Sequence, residues 1–271
     1  RAIIQGRALI VAKIEKPLAV ESIEAIAELA DLVMVARGDL GVELPLEAVP
    51  AAQRRIVRTC RRMGTPVIVA TQMLQTMVDS PVPTRAEASD VATAVYMGVD
   101  AVMLSAESAV GRHPATSVAM MDRIINAVEH DEHYWHDLYE ARKQPIATSA
   151  HALCASARDI SRLMQARAIV AFTSGGSTAL AAARERPRTP IYGLTPSLKV
   201  ARQLALVWGI TPVVSPDIRD SDQMLAWAET FAKQSLACQP GALLVALAGT
   251  PFGVPGTTNM LKLIVLGEQA A

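Results

Sequence analysis

Aromatic residues make up only 4% of these 271 residues, although 51% of the chain is hydrophobic. Phe, Trp and Tyr cannot fill a sizeable core at that level, so Ala, Val, Ile and Leu must. That suits α/β layers, in which strands buried on both faces read as continuous aliphatic runs. Net charge is also lacking: Lys plus Arg number 26, Asp plus Glu 26, and the formal sum is +0. No basic block stands out, so nothing resembles a nucleic-acid or anionic-membrane surface. The arginines at 54, 55, 58, 61 and 62 read as one solvated helix face. Cysteine is scarce. Cys60, Cys154 and Cys238 are far apart and make no CxxC or metal-like spacing, which points to a reduced cytosolic compartment. No apolar run approaches a membrane span, and no signal peptide is recognisable. An initial Met is missing too. Arg1 leads almost directly into a strand-like run, so the expectation is a fragment or a processed piece.

What is there is an alternation of strand and helix. The runs ALIVAKIE (Ala8 to Glu15), LVMVARGD (Leu32 to Asp39), VIVATQ (Val67 to Gln72) and AVMLSAE (Ala101 to Glu107) each end on polar, chemically capable residues. Helical patterns follow: Glu21 to Ala30, about Pro45 to Met63, Thr84 to Gly98 with a Thr84/Glu87 capping signal, and Ala115 to His130. Four βα units in series predict a parallel sheet with right-handed crossovers. They make about half of an eight-strand barrel, which typically takes ~250 residues.

The polar stretch from His130 to Gln144 breaks this pattern and reads as a helical exit and linker. His130, His133 and His136 fall on one predicted helix face; a solvated interdomain helix is the simpler reading than a metal site. From Thr148 onward the pattern is a smaller, mostly parallel α/β domain ending in an antiparallel pair of strands, Ala242 to Gly249 and Asn259 to Gly267. The predicted organisation is 1–135 for the partial (β/α)8 TIM barrel, 136–147 for the linker and 148–271 for the α/β C-terminal domain.

Lys13, Glu15, Asp39 and Thr71 would gather at the carboxyl ends of consecutive parallel strands, where barrels and open α/β sheets place active sites. Lys13 and Glu15 are two apart, hence on one face of a strand. A charged pair inside a barrel is costly without a ligand or counter-charge, and Asp39 arrives at the same level on the next strand. Glu15 and Asp39 would hold Mg²⁺ or Mn²⁺ through oxygens, leaving positions for substrate and water. ARGDLGVE (Ala36 to Glu43) reads as a tight turn permitted by Gly38 and Gly41, with amides near Gly38 and Asp39 able to meet an anion. Thr71 is a proton relay or a helix cap. TSGGST (Thr173 to Thr178), between a strand and a helix, reads as a phosphate cradle without the P-loop lysine, or as a simple cap. GTPFGVPGTTN (Gly249 to Asn259) would close over the same ligand or merely turn a hairpin.

Together the strings AKIEKP, MVARGDLGVELP, VIVATQMLQTM, PTRAEASDVATAVYMGVDAVMLSAES, TSGGST, RQLALVWGITPV and PGTTN resemble the pyruvate kinase family, in the family's order and over nearly the whole chain. The resemblance implies phosphoryl transfer from phosphoenolpyruvate to ADP, giving pyruvate and ATP. It implies Glu15 and Asp39 as ligands of the divalent metal and Lys13 as the cation that neutralises the phosphoryl group in flight and the enolate oxygen. Backbone amides near Arg37, Gly38 and Asp39 would hold substrate, and Thr71 would lie where the enolate is protonated. Thr173, Ser174, Gly176, Ser177 and Thr178 would bind the phosphate of an allosteric sugar phosphate or AMP. A homotetramer in the cytoplasm is implied, with no nucleic-acid or membrane partner. The family's early barrel strands, its inserted lid domain and its K⁺ and nucleotide-phosphate residues have no counterpart here, so K⁺ would bind outside this stretch and the chain alone would have little activity. SAES stands in place of the family's SGET, and Gly175 where many members carry serine. Two other readings of the same residues are a metal-dependent aldolase or lyase acting on pyruvate, and a non-catalytic module that binds a sugar phosphate.

Overall fold

The computed structural model describes residues 1–140, 147–252, 254 and 256–267. The chain forms two compact units, Arg1–Ala141 and Arg142–Ala271.

In the first unit four strands, β1 (Val11–Ile14), β2 (Leu32–Ala36), β3 (Val67–Ala70) and β4 (Ala101–Met103), lie side by side in chain order and all parallel. Between them run α1 (Pro17–Glu21), α2 (Ile23–Leu29), α3 (Arg37–Glu43), α4 (Val49–Met63) and α5 (Arg85–Tyr96). After β4 come α6 (Ala106–Ala109), α7 (Pro114–Glu129) and α8 (Glu132–Glu140). Continuous aliphatic runs at β2 and β3 are what a strand covered on both faces requires, and Val33, Val35, Val67 and Val69 are fully buried.

Register decides which residues face which side. Lys13 pairs with Met34, and Met34 with Ile68. Val35 and Val69 face the opposite side and pack with Ile14, Ile56, Val57 and Cys60 in the core under the helices. Further along the Lys13 face stand Ala36 and Ala70, paired with each other. Two alanines at the carboxyl end leave room there for larger polar groups.

The helices start and stop for identifiable reasons. α4 buries Ala52, Ile56, Val57 and Cys60, spaced for one face of a helix, and ends at Gly64 in the left-handed region (φ 78°). Its arginines 54, 55, 58 and 62 are exposed, as expected for a solvated face, while Arg61 is half-buried and donates to the Met97 carbonyl at 3.3 Å. α5 opens with the capping box expected from sequence, formed by Thr84 and Glu87.

Several expectations need correction. The strands end earlier than their aliphatic runs suggested. Arg37, Gly38 and Asp39 do not extend β2: they form the first turn of α3, and neither Gly38 nor Gly41 has a positive φ. ARGDLGVE is thus a helix rather than a tight turn. The helix expected from Pro45 is a 3-10 turn, Leu46–Ala48, followed by α4. The helix expected over Glu21 to Ala30 is broken at Ser22. The three histidines share no helix face, because α7 stops before His130 and α8 starts after it. α8 packs on the first unit through buried Tyr134 and Leu138, with Tyr134 edge-on to Tyr96 and Trp135. The rest of the expected linker, 141–146, lies outside the described residues.

The second unit has α9 (Ser149–Leu163), β5 (Ala168–Phe172), α10 (Ser177–Arg184), β6 (Ile191–Thr195), α11 (Leu198–Leu204), β7 (Ile210–Val214), α12 (Ser221–Ser235), β8 (Leu243–Gly249) and β9 (Thr258–Val265). The sheet order is β7-β6-β5-β8-β9, parallel except for β9 against β8, which matches the mostly parallel sheet with a final antiparallel pair. Helices cover both faces: Cys154, Ala179 and Leu204 lie in the core on one side, Met224, Ala228 and Ala232 in the core on the other. No helix among the described residues is long and apolar enough to cross a membrane.

Candidate functional site

Lys13 and Glu15 stand at the carboxyl end of β1, and Asp39 in the first turn of α3 just beyond β2. The three side chains converge. The Lys13 ammonium is in contact with Glu15 Oε1 and 3.9 Å from Asp39 Oδ2. Contact with the Glu15 carboxylate raises the Lys13 pKa, and contact with the Lys13 ammonium lowers that of Glu15, with Asp39 and Lys16 adding to the charge environment. The cluster is open to solvent: about half of the Lys13 and Asp39 side-chain surfaces are exposed. Glu15 Oε1 is buried, and beyond its contact with the Lys13 ammonium it has no hydrogen-bond partner among the described residues. A buried oxygen of that kind, beside a second carboxylate, fits a divalent cation. Two protein carboxylates would leave most of an octahedral shell to water and substrate oxygens. No group of three or more acidic, His or Cys residues suited to a metal occurs among the described residues, so a cation here would be shared with its ligand.

Thr71 joins this site through α3. Its hydroxyl accepts from the Gly38 amide at 2.8 Å and donates to the Ala70 carbonyl at 2.6 Å. Thr71 and Gln72 both adopt left-handed backbone (φ 69° and 55°), an uncommon state for residues with a side chain. The Arg37 guanidinium, only 9% exposed, holds this bend. It donates to the Thr71 carbonyl at 2.7 and 3.2 Å, to the Gln72 carbonyl at 3.1 Å and to both carboxylate oxygens of Asp90. The Arg37 side chain is therefore committed to the loop after β3, and the Gly38 amide to the Thr71 hydroxyl.

Sequence reasoning missed Asp90 and Glu107. Glu107 is fully buried and accepts from the amides of Leu74 (3.1 Å) and Ser105 (2.7 Å), tying together the loops after β3 and β4. It ends an aliphatic run as Glu15 and Asp39 do, yet is consumed by backbone amides. Asp90 sits 53 residues from Arg37 on a helix, and no local pattern marks the pair.

In the second unit TSGGST forms the turn from β5 into α10. Gly176 caps the helix in a left-handed conformation (φ 94°), and its amide donates to the Thr173 hydroxyl at 2.8 Å. Ser174, Ser177 and Thr178 line a cavity of about 50 Å³ at the carboxyl ends of the strands, with Ser215, Asp217 and Thr257 among the facing residues. The loop after β8 contributes Phe252, Val254 and Gly256 to the same cavity, so it does more than turn a hairpin; its Gly253 and Pro255 lie outside the described residues. The Thr178 hydroxyl is paired with that of Thr258 at 2.7 Å, both side chains being buried. No lysine or arginine lines the cavity among the described residues, and Asp217 is its one charged group, so an anion here would rely on amides and hydroxyls.

Comparison with known proteins matches residues 4–118 to the pyruvate kinase barrel domain and residues 151–264 to the pyruvate kinase alpha/beta domain. The chain belongs to the pyruvate kinase family. It is 49% identical over 266 residues to a pyruvate kinase of Methylorubrum extorquens, an alignment covering 98% of this chain and 56% of that protein. With a pyruvate kinase of Agrobacterium vitis it shares 47% identity over 265 residues, covering 97% and 55%. A crystal structure of a pyruvate kinase from Cryptosporidium parvum superposes with a TM-score of 0.84 at 33% identity, covering 95% of this chain and 51% of that one. The chain thus spans about half the length of the curated pyruvate kinases it matches. Its four βα units are part of a pyruvate kinase barrel, and its second unit is the family's alpha/beta domain.

Proposed function

We propose that this chain carries, within the complete protein, the metal and phosphoryl end of a pyruvate kinase site: transfer from phosphoenolpyruvate to ADP, yielding pyruvate and ATP. The observation that carries the reading is the convergence of Lys13, Glu15 and Asp39 at adjoining strand ends, in a chain of this family. In this reading Glu15 and Asp39 hold Mg²⁺ or Mn²⁺. When bound, the metal supplies charge neutralisation for the phosphate and carboxylate oxygens of the substrate.

The chain's own residues do the rest. Lys13, kept protonated by its two acidic neighbours, offers a fixed positive charge to the phosphoryl group as it departs and to the enolate oxygen left behind. Transfers of this kind depend on position and electrostatics more than on covalent chemistry. The first turn of α3 faces the substrate with the Arg37 and Asp39 amides, the Gly38 amide being taken by the Thr71 hydroxyl, while the Arg37 side chain holds the Thr71 bend. Thr71, one hydrogen bond from Gly38, sits where a proton can reach the enolate carbon. Thr173, Ser174, Gly176, Ser177 and Thr178 hold the phosphate of an effector, a sugar phosphate or AMP. K⁺ binds outside this stretch, and the complete protein assembles as a homotetramer in a cytoplasmic setting. Cys60 and Cys154 accord with that setting: both are unpaired, and burial pushes their thiols up to about 12.

The test is product analysis of the complete protein with phosphoenolpyruvate, ADP and Mg²⁺. Stoichiometric pyruvate and ATP support the reading. Aldol cleavage or condensation of pyruvate without ATP formation would replace it with the aldolase alternative.

A further inference from the structure

The loops that follow β3 and β4 are bound to each other in the first unit. Glu107, in the first turn of α6 and fully buried, accepts from the Leu74 amide at 3.1 Å through one carboxylate oxygen and from the Ser105 amide at 2.7 Å through the other. Further out, the Arg112 amide donates to the Val78 carbonyl at 2.8 Å, and the Arg112 guanidinium lies 3.4 Å from Asp79. Between these ties the chain turns at Gly111, where a side chain would not fit: a β-carbon there would stand 2.5 Å from the Glu107 carbonyl oxygen.

These ties differ in strength. The Arg112 and Asp79 side chains are both largely exposed, and an ion pair so open to water adds little. Glu107 is withdrawn from water altogether. A carboxylate in that position is costly unless its oxygens are hydrogen-bonded, and bonds from amides to a carboxylate are charge-assisted and strong. Each oxygen takes one amide. A carboxamide in its place would turn its own donor toward one of the two N–H groups, so the tie has no neutral equivalent.

What Glu107 holds is the end of the Thr71 bend. Thr71 and Gln72 are left-handed (φ 69° and 55°), a state that persists only where the surroundings impose it. Arg37 holds the carbonyls of both residues and reaches the Met73 sulfur at 2.8 Å. Leu74 follows, fully buried, and its amide belongs to Glu107. The bend is gripped at its start by Arg37 and at its end by Glu107, and the Thr71 hydroxyl beside Gly38 takes its place from both grips.

We infer that Glu107 is a positioning residue for the proton step of the reaction. Backbone amides occupy both of its oxygens, so it acts by fixing the bend that carries Thr71. The inference deepens the role given to Thr71 above and rests on that reading. Moving a reacting group by about 1 Å costs on the order of a hundredfold in rate, which is the leverage of a tie three residues along the chain.

The test uses the complete protein and Glu107→Gln. Amide hydrogen exchange in 71–79 and 105–112 should rise about tenfold or more, while that of β5 stays as in the parent. The proton step is read apart from net transfer as exchange of the methyl protons of pyruvate in deuterium oxide with Mg²⁺, K⁺ and ATP. Glu107→Gln should slow this exchange about tenfold or more, with KM for phosphoenolpyruvate moving only a few-fold. In a Thr71→Ala background the same change should slow the residual exchange less than about twofold, because residues that act through one another are not additive. If the Gln variant fails to fold, Glu107→Asp, a methylene shorter and unable to span both amides, carries the same expectations. Unchanged amide exchange in the two loops, or an equal loss with and without Thr71, overturns the inference. A parent that forms no pyruvate from phosphoenolpyruvate and exchanges no methyl protons overturns instead the catalytic reading on which it rests.

Discussion

The Arg37 guanidinium is held by both carboxylate oxygens of Asp90, at 2.7 and 2.5 Å, while its other edge carries the carbonyls of Thr71 and Gln72. One ion pair thereby fixes the left-handed bend that presents the Thr71 hydroxyl to the Gly38 amide. The bend after β3 is set by a helix, α5, whose Asp90 lies 53 residues from Arg37 in sequence.

Asp90→Asn should loosen this turn. Arg37 is nearly buried, but the Asp90 side chain is 38% exposed, so the loss is screened and falls below that of a fully buried pair, at about 1–3 kcal/mol. Thermal unfolding of the 271-residue chain should show a fall of several degrees. In the complete protein, turnover should fall more than the apparent affinity for Mg²⁺, because Glu15 and Asp39 are untouched. An unchanged melting temperature would remove the pair from this role.

The α5 cap predicts an acid dependence. Burial opposes ionisation of Glu87, but hydrogen bonds from the amides and hydroxyls of Thr76 and Thr84 outweigh it, and the Glu87 pKa is lowered from 4.5. A lowered folded-state pKa contributes stability that is present above the unfolded value and lost as pH falls through the folded one. Glu87→Gln should therefore destabilise the chain at neutral pH and shrink the gap to the parent as pH drops below about 4. Denaturant titrations at pH 7 and pH 3.5 check this; a pH-independent difference would contradict it. Thr84→Ala should cost about 1 kcal/mol.

Thr178→Ala should lower stability before it informs on any ligand. Its hydroxyl partners buried Thr258, and leaving that group unpaired costs about 1–3 kcal/mol. Ser177→Ala, which alters the cavity lining, is the cleaner probe of effector binding. Sugar-phosphate or AMP affinity that survives Ser174→Ala/Ser177→Ala would argue against the cradle.

How much of this was legible in the sequence follows from range. The order of strands and helices was legible because aliphatic runs and the Thr84/Glu87 signal are local. Lys13, Glu15 and Asp39 could be brought together because parallel strands in series align their carboxyl ends. Strand limits were overestimated because Arg37, Gly38 and Asp39 follow an aliphatic run directly, and α3 claims them through its own hydrogen bonds. Glu107 looked like another strand-end carboxylate but is satisfied by amides, which only coordinates reveal. Asp90 and the cavity wall near Ser215 and Asp217 are long-range partners with no local signature, whereas the loop carrying Phe252 was marked by its Gly/Pro-rich string.

The chain spans about half of its relatives' length, so by itself it should give no sustained pyruvate formation in a lactate dehydrogenase-coupled assay. Normal turnover by the isolated 271 residues would show that these two units contain the whole catalytic apparatus.

The central claim is that the ammonium between Glu15 and Asp39 acts on the charge that develops during transfer. Steady-state kinetics of Lys13→Met in the complete protein tests it most directly. Turnover should fall by a factor on the order of 100 or more while KM for phosphoenolpyruvate moves only a few-fold, the pattern of an interaction made in the transition state. Unchanged turnover, or a loss confined to KM, would contradict it.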